Sequence, residues 1–267
     1  WRNAVWRRQE EYIHLDSAAT YDGSDRGTAA EATLTPSALT GAGISLTASA
    51  AVFRAGDVGK EIWVKPDRDT GVGLGRATIT AYVSTTQGQT NVPAPNTGFT
   101  AVAAGDWYFA TDTIYGAWHL EGEVVGVVGD GAVVSDGGLS DEEFPQVDIE
   151  NGAAVLPQKV AVAHVGIPYE GILKTHNLEL ANGQGPAQSN PRNIVQAFIR
   201  FLYTLGVEFG TDIYDLEKVE WRTTKDKTDR VSPVFSGIKE VFNKDGWSAP
   251  GETKHIIIRQ RLPLPAI

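Results

Sequence analysis

The chain has 267 residues, of which 42% are hydrophobic and 21% are charged. This length is typical of one large domain or two ordinary ones, and the composition excludes an intrinsically disordered polymer. The formal net charge of −10 argues against a sequence-specific DNA reader, because such proteins hold phosphates with clustered Lys and Arg.

The chain has no cysteine, which excludes disulfide frameworks, thiol catalysis and cysteine-based zinc sites. It also lacks methionine, begins at Trp1 and ends in an apolar run at Ile267, so we expect an internal piece of a longer polypeptide. No apolar run approaches the roughly 20 residues that a membrane helix needs, and we expect no membrane span.

The 29 glycines and 13 prolines favour an all-β chain with many turns. Residues 1–27 are predicted to form a connector and the first strand of a main β-domain. The Trp- and Arg-containing start of this segment is interpreted as a solvated connector, with a nucleic-acid-binding arm as the alternative.

Residues 28–111 are predicted to form an inserted, small β-barrel-like module. Within it, Ala77, Ile79, Ala81 and Val83 alternate with polar residues and are expected on one face of a strand. The stretch AVFRAGDVGKEIWV, residues 51–64, predicts two short apolar segments around a Gly-Asp-Val-Gly bend.

Residues 112–180 are predicted to continue the main β-domain, and 181–267 to form a further β-domain that is truncated at its C-terminal end. Gly129-Asp130-Gly131 between two valine-rich runs predicts a β-hairpin. Residues 193–206 fit both helical and strand periodicity, but β-branched and aromatic residues favour a strand. The fold class is therefore predicted to be all-β, with multiple small barrel or sandwich domains.

Signatures of known catalytic sites are missing from the sequence. The five histidines lie at no metal-ligand spacing, and there is no Gly-x-Ser-x-Gly or Walker motif. The glycine-rich run at 71–75 leads into a predicted strand, so it lacks the helix N-terminus that a phosphate cradle needs. We expect no enzyme activity, no cofactor and no metal.

Acidic residues are concentrated in one part of the chain. Between Trp118 and Gln158 there are nine Asp or Glu and no Lys or Arg. The simplest interpretation is a solvated face. Asp141-Glu142-Glu143 with Asp148 and Glu150 also leave open a glycosidase carboxylate pair or a calcium site.

Several segments together resemble a known family. The stretch HLDSAATYDG at 14–23 is followed by GAWHLEG at 116–122, a valine-rich strand ending in Asp130-Gly131, and VGIPY at 165–169. Two further segments, 191–200 and 261–265, complete the series in the same order. This series is similar to the tail nozzle, or tail tubular protein B-like, family of short-tailed (podovirus-type) bacteriophages. The module at 28–111 interrupts the pattern.

The resemblance implies a structural virion protein at the distal end of a phage tail. It implies a homohexameric ring around the DNA channel, contacts with a tail adaptor and with a tail fibre or spike protein, and DNA that passes without sequence-specific binding. An acidic lumen repels phosphates, so we expect Asp136, Asp141, Glu142, Glu143, Asp148 and Glu150 to form a DNA-channel surface. The alternative is a carbohydrate-binding or polysaccharide-degrading tail component, since the chain has seven Trp residues.

Overall fold

A computed structural model describes residues 13–23, 32–64, 75–93, 101–140, 143–176, 194–226, 232–247 and 255–265. The protein is nearly all β, which confirms the predicted fold class. In the described ranges the strands are β1 Leu15–Asp22, β2 Leu34–Pro36, β3 Gly41–Ala48, β4 Glu61–Val64, β5 Arg76–Ser84, β6 Gln87–Val92, β7 Trp107–Tyr115, β8 Gly126–Gly129, β9 Ala132–Asp136, β10 Ile149–Glu150, β11 Ala153–Val160, β12 Val162–Pro168, β13 Gly171–Lys174, β14 Ile194–Thr204, β15 Val207–Asp212, β16 Asp215–Lys218, β17 Phe235–Trp247 and β18 Ile257–Gln260. Within the same described ranges, helix is limited to the 3₁₀ turns Ala55–Asp57 and Trp118–Leu120.

The chain packs into two compact units, each made of more than one segment. Unit 1 comprises residues 1–18, 124–146 and 166–267, and unit 2 comprises 19–123 and 147–165. This division cuts the chain differently from the four segments that we delimited in the sequence, whose limits stay a prediction.

Unit 2 contains an eight-stranded sheet in the order β10-β11-β7-β4-β5-β6-β3-β2. Leu34 on β2 also pairs with Val102, whose amide and carbonyl lie 2.8 and 3.0 Å from the matching groups of Leu34. Because Val102 lies five residues before Trp107, where β7 begins, this bridge brings β2 back to the chain that enters β7. Six of the strands therefore curve around one core.

That core is aliphatic around an aromatic centre. Trp107 is fully buried and its indole N–H donates a 2.9 Å hydrogen bond to the carbonyl of Ala32. The ring of Phe109 meets those of Trp107 and Phe53 edge to face, with centroids 5.2 and 6.3 Å apart. The core residues of this cluster run from Ala32 to Phe109 and lie within the segment that we expected to be a small module.

Strand β5 departs from the predicted alternation. Ala77 and Ile79 are buried and Ala81 is half-buried, but Val83 is 51% exposed. The pairing with β6 shifts between Ile79 and Ala81 and again between Tyr82 and Ser84. Each shift places an extra residue on β5, and an extra residue reverses which side chains face inward. The expectation that Val83 shares the buried face was therefore wrong.

The remaining described strands form three smaller sheets, in the orders β1-β12-β8-β9, β13-β18-β15-β16 and β14-β17. The predicted hairpin at Gly129-Asp130-Gly131 is confirmed, because β8 and β9 are joined by Asp130 and Gly131 with φ of 50° and 84°. Both φ values are positive, as a type I′ turn requires. The predicted strand at 193–206 is confirmed as β14.

Gly23, just after β1, lies where two backbones approach closely. Its amide donates to the carbonyl of Ala161 at 2.8 Å, and its carbonyl accepts from the amide of Phe109 at 3.1 Å. A Cβ built at Gly23 would lie 1.8 Å from the carbonyl oxygen of Phe109. Glycine is the only residue that this backbone geometry accommodates.

We therefore expect Gly23→Ala to lower the free energy of unfolding by roughly 1–3 kcal/mol, since the new methyl group must push backbone apart. Gly56→Ala is the matched control, because a Cβ there has no neighbour within 4 Å. Urea unfolding of both variants measures the difference. Equal midpoints for the two variants would contradict the close approach at Gly23.

Candidate functional site

The motif residues on β1 are fixed by contacts within unit 2. The hydroxyl of Thr20 lies 2.9 Å from Nδ1 of His164, and the hydroxyl of Tyr21 donates to the carbonyl of Phe109 at 3.1 Å. Together with the close approach at Gly23, these contacts show that the Thr-Tyr-x-Gly pattern positions β1 against its neighbours.

The Gly-x-x-His-Leu-Glu-Gly motif forms a turn that holds the β10–β11 hairpin. Gly116 and Gly122 have φ of 101° and 80°, a region that favours glycine. Glu121 accepts hydrogen bonds from the amides of Asn151 and Gly152 at 2.8 and 2.7 Å. This carboxylate satisfies two amides that the tight hairpin leaves unpaired.

The β10–β11 turn itself was missed in the sequence. Asn151 and Gly152 have φ of 53° and 67°, and they join Glu150 to Ala153 in register. An Asn-Gly dipeptide is the strongest short-range signal of such a turn, so the sequence did carry the information.

The Val-Gly-x-Pro-Tyr motif sits at another close approach. A Cβ at Gly166 would lie 2.7 Å from the carbonyl oxygen of Asp16, and Pro168 occupies the space that a side chain at Gly137 would need. The ring of Tyr169 packs on His14 with centroids 5.1 Å apart. In these three motifs of the resemblance, the matching residues thus form turns and backbone contacts.

The six predicted channel acids do not share one environment. Asp136 is 3% exposed, whereas Glu143, Asp148 and Glu150 are exposed. Asp141 and Glu142 lie outside the described residues. The prediction that Asp136 contributes to an exposed acidic surface is corrected by its burial.

Asp136 caps the loop that follows β9. Its Oδ1 accepts from the amide of Gly138 at 2.9 Å, and its Oδ2 accepts from the amide and the hydroxyl of Ser140, the amide at 2.8 Å. Burial by itself would raise the pKa of Asp136, but the hydrogen bonds from Ser140 and Gly138 outweigh it and hold that pKa below its ordinary value.

The exposed acids belong to two units. Glu143 lies in unit 1, and Asp148 and Glu150 lie in unit 2. Asp148 and Glu150 flank Ile149, which is 1% exposed. Because strand residues alternate in direction, the two carboxylates project from the same side of this strand. Among the six predicted channel acids, Asp148 and Glu150 are thus two exposed carboxylates on one side of the same strand.

The histidines have packing roles or face solvent. Burial lowers the pKa of His164, and the Asp22 carboxylate partly opposes this shift. His119 and His176 are exposed. Within the described ranges, no three His, Cys, Asp or Glu residues are close enough to share a metal ion.

A cavity in unit 1 was not anticipated from the sequence. It has a volume of about 590 Å³. Trp221 lines it, and the buried Nε1 of this indole has no hydrogen-bond partner. The cavity combines residues far apart in the chain, which no local pattern reveals. Its lining is Gly131, Ala132, Val133, Leu205, Gly206, Val207, Glu208, Lys218, Val219, Trp221, Arg222, Ser232, Leu262 and Leu264.

Comparisons with known proteins add no relative: no protein-family model matches the sequence, and no curated protein matches it. In the part of the chain that the structure describes, no helix has the length and apolar character to cross a membrane.

We expect Asp136→Asn to lower the free energy of unfolding by roughly 1–3 kcal/mol, because an amide nitrogen replaces one acceptor and faces a buried donor. The native pKa of Asp136 lies below its ordinary 3.8, so its stabilisation is present above about pH 3.8 and is lost as pH falls through the native pKa. The variant should lack that part of the acid sensitivity.

The matched control is Glu143→Gln, because Glu143 lies in the same acid-rich stretch between Trp118 and Gln158 and its side chain is exposed. Chemical unfolding between pH 3 and pH 7 separates the two variants. An Asp136→Asn protein as stable as Glu143→Gln at pH 7 would contradict the capping role.

Proposed function

We propose that this protein is a structural virion protein: a subunit of the ring that forms the distal nozzle of a short phage tail, conducts DNA and carries tail fibres. The observation that carries the proposal is the ordered series of family-like motifs, three of which contain a residue at a constrained backbone position. Gly23, Glu121 and Gly166 are such positions. Similar residues at turns and close approaches support a similar backbone in the family members.

The electrostatics support the channel part of the proposal. Asp148 and Glu150 present two like charges on one side of a short strand, and Glu143 adds an exposed carboxylate in unit 1. Acidic walls weaken phosphate binding, because only cationic groups release the counterions that drive it. A conduit for DNA needs such walls if the genome is to pass without sticking.

Immunogold electron microscopy on virus particles from the source culture, with an antibody against this chain, tests the location. We expect gold at the distal end of a short tail. Protein that is free in the lysate and absent from intact particles would contradict the nozzle proposal.

The channel role is tested by the double variant Asp148→Lys with Glu150→Lys in infectious particles. New lysines in a DNA lumen attract phosphates, so we expect genome ejection to slow in a salt-dependent way. Asp215→Lys with Glu217→Lys is the matched control, since these are also exposed acids two residues apart on a strand. Equal ejection rates for both variants would place the Asp148–Glu150 pair outside the channel.

A second candidate function is favoured by exposed aromatic rings. Trp118 is 67% exposed and Tyr115 is 76% exposed, three residues away in the same unit. Flat exposed rings stack on sugars in carbohydrate-binding proteins. Trp118, however, also packs on Gly152, which gives it a structural role. A glycan array distinguishes this candidate from a nozzle.

A further inference from the structure

Strands β14 and β17 form a long ribbon of two strands within unit 1. They pair antiparallel over much of their length, from Ile194 opposite Trp247 to Thr204 opposite Phe235. The sheet holds no third strand among the described residues. Both outer edges of the ribbon therefore lack a partner strand in the described part of the chain.

One face of the ribbon is packed. Phe201 is 5% exposed and meets Trp221 edge to face, with centroids 5.1 Å apart. Lys239 on β17 places its ammonium 5.4 Å from the centre of the same indole ring. Ala197 and Ile199 pack against the cluster of Phe209 and Val219. This inner face anchors the ribbon to the rest of unit 1.

The opposite face carries apolar side chains into solvent. Phe198 is 67% exposed, Ile238 is 65% exposed and Leu202 is 48% exposed. Arg200 is opposite Ile238 and Glu240 is opposite Phe198 in the register. This outer face therefore interleaves three large apolar side chains with one positive and one negative charge.

A two-stranded ribbon of this kind gains stability when further strands pair with it. Two strands alone are marginal in water, and exposed edges invite further strands. Short strands and Pro are two of the ways in which proteins protect such edges, and β14 and β17, with 11 and 13 residues and no Pro, use neither. Burial of Phe198 and Ile238 against a partner would add a favourable free energy to the pairing of strands.

We propose that this ribbon is the surface through which copies of the chain associate, the β14 edge of one copy pairing with the β17 edge of the next. Charge complementarity supports this arrangement, because the antiparallel register that sets Arg200 of one copy opposite Glu240 of the next pairs opposite charges across the two edges.

The direction of the strands also fits. A rotation about an axis parallel to the strands preserves their direction, so in a ring whose axis runs along the ribbon β14 meets the next copy's β17 antiparallel, as it does within the ribbon. Contacts between two different edges are heterologous, and they close into a ring when the rotation closes. The proposal rests on the ring of the proposed function and names the surface that builds it.

The first test is sedimentation velocity of the chain and of the double variant Phe198→Lys with Ile238→Lys. Each change removes a side chain whose burial is worth at least about tenfold in association, so we expect assembly about a hundredfold weaker or more. The matched control is Tyr115→Lys with Val155→Lys, which adds the same charge at residues that are 76% and 67% exposed in unit 2. A chain that is monomeric throughout, or a ribbon variant that assembles like the control, would overturn the proposal.

The second test uses disulfides and needs no disruptive change. The chain has no cysteine, so each introduced cysteine is unique. Ile238→Cys on β17 is mixed in turn with Gln196→Cys, Phe198→Cys, Arg200→Cys and Leu202→Cys on β14, all at exposed positions. Neighbouring strands lie about 4.8 Å apart and the next ones about twice as far, beyond disulfide reach.

We expect disulfide-linked dimers from at least one mixture and from none of the single variants. Dimers from a single β14 variant alone would show that like edges pair, and dimers from no mixture would show that the edges do not meet; either result overturns the proposal. If immunogold labels the tail tip and either of these disulfide results is also obtained, the ribbon interface is refuted and the proposed nozzle function is retained.

Discussion

The contact on which the rest of unit 2 depends is the backbone of Gly23 lying between Phe109 and Ala161. Its two hydrogen bonds join the end of β1 to β7 and to the link between β11 and β12. Phe109 also supplies a core ring that meets Trp107 and Phe53. A side chain at Gly23 would separate these strands and expose that core.

The carboxylates in the acid-rich stretch between Trp118 and Gln158 have two different roles. Glu121 and Asp136 accept hydrogen bonds from turn amides, so they stabilise the β10–β11 turn and the loop after β9. Glu143, Asp148 and Glu150 face solvent and set the surface potential. A charge count over the run therefore overstates the acidic surface, because the charge of a buried, hydrogen-bonded carboxylate such as Asp136 is balanced locally by amide and hydroxyl dipoles.

The ribbon and the cavity meet at Trp221, which contacts Phe201 and Lys239 on one side and lines the cavity on the other. The ring of Phe235 lies 5.7 Å from the same indole. One aromatic cluster thus contacts both the inner face of the ribbon and the cavity.

Local patterns in the sequence predicted the all-β class, the turn at Asp130-Gly131 and the strand at 193–206, because these depend on local φ preferences and side-chain periodicity. It also identified the acidic run, but it could not separate Asp136 from Glu143, since burial is decided by residues distant in the chain. The exposed Val83 followed from two bulges, which depend on the pairing with β6. The tertiary structure alone reveals the strand order, the cavity and the β14–β17 ribbon, whose edges have no partner strand among the described residues. These features arise from non-local contacts between strands, which no local pattern encodes.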